Sequence, residues 1–230
     1  MKTRSSLFVH SVLLACMAAG VAYAETPVER LHSADEVITE IMGAADKGIP
    51  QDLLGKAQCI IIVPGLKKGA FIIGGKFGRG FLLCRSASGS GWSAPGAVTV
   101  EGGSFGFQIG AQETDAVMLV MNRRGAEKLM ASKFTLGADA SVAAGPVGRT
   151  SSAETDAQMH AEILTYSRAR GVFAGISLQG ATLRPDKDTN KELYGSALTN
   201  QEIVLGGKAK VPAAAADLRA HLSRYSVRKS

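Results

Sequence analysis

Cysteine is scarce in this chain, with three in 230 residues, at positions 16, 59 and 84. Neither Cys59 nor Cys84 has a second cysteine two to four residues away, so the paired-ligand spacing of a zinc ribbon is missing and no metal is expected. Beyond the first two dozen residues no apolar stretch is long enough to span a bilayer as a helix. Charge is not concentrated either. Lys and Arg number 26 against 20 Asp and Glu, a formal net +6, without the dense basic stripe that tracks a nucleic-acid backbone, so nucleic acid is not an expected partner. Regular alternation of strands with helices is also lacking, which excludes the parallel sheet of nucleotide-binding folds.

What the chain does have begins with a leader. Lys2 and Arg4 precede a largely apolar stretch, residues 7–21, and the small-residue site Ala22-Tyr23-Ala24. That order is a secretory signal peptide cut before Glu25, giving a leader over 1–24 and a single domain over 25–230. Loss of Lys2 and Arg4, and of no acid, lowers the net charge from +6 to +4. A second cut competes. Leu13-Leu14-Ala15-Cys16 resembles a bacterial lipobox, in which Cys16 would be lipidated and become the N-terminus of a membrane-anchored lipoprotein. The first cut is preferred, because Leu14 fits the lipobox imperfectly and the residues after Cys16 are apolar where a polar tether is usual. Both cuts export the protein, to the periplasm or to a membrane anchor. Cys59 and Cys84 remain after either, each in an apolar run, and both buried thiols and a disulfide between neighbouring strands fit that setting.

Hydrophobic spacing predicts an amphipathic helix over residues 27–47, with Leu31, Val37, Ile38 and Ile41 on one side and a start resembling Ser33-Ala34-Asp35-Glu36. A short helix follows Pro50, and residues 65–69 read as a turn. Short strands are expected at 59–63, 70–73, 80–85, 97–100, 104–111 and 116–121, most bounded by glycines. Residues 122–132 read as a helix, 134–144 alternate with period two as one strand, 163–167 and 172–178 form a hairpin, and 212–225 are helical. The class is α+β: a curved or barrel-like antiparallel sheet of short glycine-rich strands, flanked by N-terminal, middle and C-terminal helices.

Gly-Gly-x-Phe-Gly occurs twice, as Gly74-Gly75-Lys76-Phe77-Gly78 and as Gly102-Gly103-Ser104-Phe105-Gly106. The second copy fits the Gly-x-Ser-x-Gly elbow of serine hydrolases, but Lys76 replaces the serine in the first copy, and alternating Phe105, Phe107 and Ile109 continue a strand where an elbow needs a helix. A backbone role for the glycines is the better reading, and no catalytic residue is assigned. Gly75, Gly78 and Gly80 lead into a strand, so they are not a phosphate cradle. Asp186, Asp188 and Asn190 imitate the first ligands of a calcium loop. Lys191 stands where the loop needs glycine and Ala197 where it needs glutamate, so a solvated loop or helix cap is expected and no cofactor is assigned.

The basic residues carry more. Lys67, Lys68, Lys76, Arg79 and Arg85 follow closely in sequence, and Arg123, Arg124 and Lys128 share the middle helix. Each cation near an anionic leaflet gains roughly 1 kcal/mol, so several together could hold the protein there without a deep pocket.

Ordered motifs along the chain resemble one family. They are residues 57–65 (Ala-Gln-Cys-Ile-Ile-Ile-Val-Pro-Gly), 69–75 with Gly78-Arg79-Gly80, Trp92-Ser93-Ala94-Pro95, 103–110, 137–148, 166–175 and Leu193-Tyr194-Gly195. Together they resemble the SYLF lipid-binding domain and cover nearly all of the chain after the leader. The resemblance implies a non-enzymatic domain that binds acidic phospholipids, notably phosphoinositides, and that works with actin in yeast and animal members. For an exported bacterial protein the expected partner is an acidic phospholipid or membrane surface. The alternatives are a structural or protein-binding envelope module and, more distantly, a Ser104 hydrolase.

Overall fold

The computed structural model describes residues 25–44, 48–70, 73–86, 91–105, 110–148, 160–169 and 171–227. The leader expected over 1–24, with Cys16, lies outside them, as do residues 149–159.

Helix α1 spans Pro27–Gly43. It starts earlier than Ser33, because Thr26 and Glu29 form a capping box: Glu29 N donates to Thr26 Oγ1 at 3.2 Å and Thr26 N to Glu29 Oε2 at 2.8 Å. Two donors that a helix start would leave unpaired are thereby satisfied. These hydrogen bonds, the backbone one first, hold the Glu29 carboxyl below its ordinary range. Leu31, Ala34, Val37, Ile38 and Ile41 recur at helical spacing and are buried. Helix α2 (Gln51–Lys56) leads into four long strands, β1 (Cys59–Ala70), β2 (Ile73–Cys84), β3 (Gly96–Phe105) and β4 (Gly110–Val120). After them come α3 (Arg123–Lys128), β5 (Phe134–Thr135), β6 (Val142–Ala144), β7 (Ile163–Ala169), β8 (Val172–Gly175), β9 (Thr182–Pro185), α4 (Lys187–Tyr194), a π turn at Gln201–Leu205, a 3-10 turn at Ala213–Ala215 and α5 (Ala216–Tyr225).

The strands form one sheet in the order β5-β9-β3-β2-β1-β4-β7-β6, with β8 also on β7. Described pairings are antiparallel except β6 with β7. The sheet curls strongly into a half-barrel, so the α+β class and curved antiparallel sheet expected from sequence are what the chain adopts. Both faces are covered along the first half of β1. Ile60, Ile62, Phe81, Leu83, Val117 and Leu119 pack with α1 and α5. Cys59, Ile61, Val63, Leu82, Val100, Met118 and Val120 pack with Leu129, Phe134, Leu178, Leu183 and Ile203. Burial on both sides is why residues 59–63 read as an unbroken apolar run.

Three sequence readings change. The expected turn at 65–69 is a bulge inside β1: the register shifts between Ile62 and Lys67, Gly65 takes φ +58°, and its N–H donates to Asp115 Oδ1 at 2.9 Å. Glycine supplies the left-handed residue that such a bulge requires. Because the bulge does not end the strand, β1 runs on to Ala70, and of the strand expected at 70–73 the first residue ends β1 and the last opens β2. The strand expected over 134–144 is likewise two, β5 and β6. A turn with Gly137 at φ +86° separates them, and there Asp139 Oδ2 accepts from Thr135 N at 2.6 Å. Of the loop or helix cap expected at residues 186–190, the chain adopts the cap, and it opens α4, a helix the periodicity did not mark. Asp186 is its N-cap, accepting from Thr189 N at 3.0 Å, and Gly195 ends it at φ +65°. Its Asn190 accepts from Ala97 N at 2.8 Å and donates to Asn200, which donates to Ala97 O at 3.0 Å, fastening the start of β3.

Candidate functional site

The bulge divides the four central strands into two lengths. Past it they continue as a ribbon formed by residues 67–70, 73–77, 101–105 and 110–113. Side chains alternate between faces, so register places each one. Lys67 lies opposite Phe77 and Glu113, and Phe77 lies opposite Glu101. One step nearer the ribbon end and on the other face, Lys68 lies directly opposite Lys76, with Gln112 and Gly102 as their outer neighbours. The next row is Ala111, Gly69, Gly75 and Gly103.

Like charges directly opposite across a strand pair destabilise it. Lys68 is half-buried, and burial, reinforced by Lys76, holds its ammonium below the ordinary lysine value. Among the described residues no ion pair involves Lys67, Lys68 or Lys76. The arrangement is two ammonium groups held together with a folding cost, beside a third and without a carboxylate on their own face.

The other five cations stand elsewhere. Arg79 is farther back on β2, and its Nε lies 3.6 Å from Asp186 Oδ2. Arg85 is half-buried and structural. Its guanidinium lies 4.4 Å over the Trp92 ring and donates to the carbonyls of Leu54 (3.1 Å), Gly55 (3.1 Å), Ala57 (3.3 Å) and Ser226 (2.9 Å). It joins α2 to the C-terminal segment. Trp92 is fully buried, its Nε1 donating to Ser226 Oγ at 3.0 Å, and Arg219 donates to its carbonyl at 2.7 Å.

Arg123, Arg124 and Lys128 occupy α3, next to the Val120–Cys59 end of the sheet. Lys68 pairs with Gln112, eight residues back along β4, which is roughly 25 Å away at strand rise. Arg123 pairs with Glu127 at 3.2 Å, and Lys128 approaches Glu162 at 3.8 Å and donates to Asp139 O. Arg124 is exposed. The eight cations therefore fall into separate groups, and only Lys67, Lys68 and Lys76 gather at the ribbon. The numbering alone could not show which lysines face each other, because that depends on reading residues 65–69 as a bulge.

Cys59 and Cys84 face each other across β1 and β2 and are joined by a disulfide. Beside it lies a cleft of about 510 Å³ lined by Arg85, Arg123, Glu127 and Ser226 among others. Ser104 lies in β3 opposite Gly74, one residue before the strand's end at Phe105. A serine nucleophile would need a histidine base; His221 is held between α5 and α1, Nδ1 2.7 Å from Asp35 Oδ1, and the carbonyl of His160 accepts from Ser141 Oγ at 3.3 Å.

Residues 101–225 match the family model described as Ysc84, Las17-binding protein actin regulator. An SH3 domain-containing protein of Schizosaccharomyces pombe is 38% identical over 175 residues, covering 74% of this chain and 40% of that protein. Protein YSC84 of Saccharomyces cerevisiae is 34% identical over 176 residues, 74% of this chain and 36% of that protein. The SH3 domain-containing YSC84-like protein 1 of Rattus norvegicus is 34% identical over 182 residues, 79% of this chain and 53% of that protein. The chain thus spans only about a third to a half of the length of these relatives.

Proposed function

This chain belongs to the Ysc84 family, the one its SYLF-like motifs resemble, and from that premise we propose that it binds acidic phospholipid surfaces through basic side chains and performs no chemistry. The observation that carries the reading is the gathering of Lys67, Lys68 and Lys76 at one end of the sheet, without ion-pair partners among the described residues. Three cations near an anionic leaflet supply roughly 3 kcal/mol, enough for reversible localisation. A phosphate placed between Lys68 and Lys76 would offset their repulsion, so lipid binding turns a folding cost into affinity. The protein is exported, to the periplasm after a cut before Glu25 or to a membrane through lipidated Cys16.

Flotation with neutral and anionic vesicles at low and high salt tests this. Binding is expected to anionic vesicles only and to fall as salt screens the lysines. Equal binding to neutral and anionic vesicles, or none to either, overturns it.

A second reading, a protein-binding module, is favoured by the family's description as a Las17-binding protein and actin regulator. An exported chain meets actin only if it reaches a host cell. Co-sedimentation with filamentous actin, without vesicles, separates the two readings.

A further inference from the structure

Phe77 is the one aromatic among the exposed large hydrophobic residues of the described chain, with 47% of its surface accessible. It stands on the face of the sheet that α1 and α5 cover farther back, next to Lys67, whereas Lys68 and Lys76 point to the other face one residue nearer the ribbon end. A flat membrane laid against either face would reach only one of these sets. Approached along the strand axis, all four side chains fall within one residue's rise, about 3.3 Å, and meet the same layer.

The composition of the ribbon end points the same way. The described residues on the far side of the lysines, 69–70, 73–75, 103–105 and 110–111, contain no charged residue. Ile73 pairs with Phe105 there, and two rows back, next to the lysines, stand Ala111, Gly69, Gly75 and Gly103. A Cβ added at Gly69, Gly75 or Gly103 would meet nothing within 4 Å, so these glycines do not fill a packed interior. The carboxylates at the level of Phe77 are Glu113, opposite Lys67, and Glu101, which lies 3.7 Å from Arg184. Together with the next row, three lysines stand against these two acids.

Resting on the lipid-binding reading, we infer that the ribbon docks end-on. Its uncharged end enters the headgroup region of an anionic leaflet, Lys68 and Lys76 collar it at the level of the phosphates, and Phe77 lies at the outer interface. Aromatic rings and lysine stems both suit that boundary, with an apolar body inward and polar groups in water.

Two tryptophan reporters on the same face test this, Phe77→Trp and Phe105→Trp, four residues apart along the strand by register, roughly 13 Å. The single native Trp92 is fully buried and gives a constant background. The vesicles are phosphatidylcholine with 30 mol% phosphatidylglycerol, roughly the charge of an anionic leaflet, with and without brominated acyl chains. End-on docking predicts strong quenching and a blue shift for Phe105→Trp, weaker quenching for Phe77→Trp, and neither with neutral vesicles. The double variant Lys68→Gln, Lys76→Gln should lose roughly tenfold or more in vesicle partition while keeping the wild-type circular dichroism. Equal quenching at both reporters would mean flat docking, and no quenching at either while the protein still floats would mean attachment elsewhere. Either result overturns this inference and leaves the lipid-binding reading standing. Failure of the unmodified protein to bind any anionic vesicle overturns both.

Discussion

The same four strands behave as two materials on either side of the bulge at Gly65. On the near side, Ile60, Ile62, Phe81, Leu83 and Val117 are buried against helices while Ile61, Val63 and Met118 are buried on the other face. There Gly80 is forced by contact, since a Cβ on it would lie 2.0 Å from the Ile62 carbonyl oxygen. On the far side, Gly75 and Gly103 are exposed with nothing in reach of an added Cβ, and lysines face each other without acids on their own face. Glycine thus serves two physical ends, close packing at Gly80 in one length of strand and a bare, uncharged surface at Gly75 and Gly103 in the other. Stability is stored before the bulge, and beyond it residues are kept at some cost to stability.

The sharpest way to break this comparison is to give both lengths the same added methyl. Gly80→Ala drives a Cβ into backbone of a central strand, where neither partner can yield, and should cost about 3 kcal/mol or more. Urea denaturation would show it as a large fall in midpoint. Next in size is Arg85→Met, which leaves the carbonyls of Leu54, Ala57 and Ser226 without this donor and removes the stacking on Trp92. It should cost about 2 to 3 kcal/mol by the same measurement and leave vesicle binding per folded molecule unchanged. Lost vesicle binding in a folded Arg85→Met protein would return this residue to the lipid patch. Gly75→Ala should change stability by no more than about 0.5 kcal/mol, and in the stabilising direction, because alanine restricts the unfolded chain and meets nothing in the folded one. A loss above about 1 kcal/mol would show that the ribbon is packed like the core.

How much of this was legible in the sequence follows the same division. The α+β class, the curved antiparallel sheet, α1, α2 and the β7–β8 hairpin all follow from periodicity, because residues such as Leu31, Val37 and Ile41 repeat at the spacing of the element they build. Strand ends depart from the sequence reading where glycine reads as punctuation. Gly65 and Gly69 suggested a turn, but pairing to β4 on one side and β2 on the other carries the strand through, with only a bulge to mark it. Helix α4 hid because its start, Asp186 to Asn190, is polar, and the purpose of Asn190 becomes clear only with its tertiary bonds to Ala97 and Asn200. The Thr26 and Glu29 spacing of the capping box was present in the sequence and would have placed the start of α1 correctly. For the candidate site, the residue types were legible and the grouping was not. Eight cations in one stretch of sequence are distributed to opposite ends of the sheet, and Phe77, which falls between the strands expected at 70–73 and 80–85, is placed in β2 and exposed only by the fold.

The smallest expected effect bears most directly on the comparison, because its sign distinguishes a functional charge pair from a structural one. Lys68→Gln removes one of two ammonium groups held opposite each other and should stabilise the fold by about 0.5 kcal/mol at neutral pH and low salt. The pH dependence follows from the depressed ammonium of Lys68, caused by burial first and by Lys76 second. A cation whose folded pKa lies below its unfolded value releases its proton more readily in the folded state, so its penalty is complete below the folded value. That penalty vanishes as pH rises to the unfolded value. The advantage of Lys68→Gln over the unmodified chain should therefore be full at neutral pH, shrink as the lysines deprotonate in alkali, and shrink as well with added salt. Thermal unfolding of both proteins across pH and salt would read it. A Lys68→Gln protein less stable than its parent at neutral pH would mean that Lys68 is held by a favourable contact, and the ribbon would then be built for stability like the strands before the bulge.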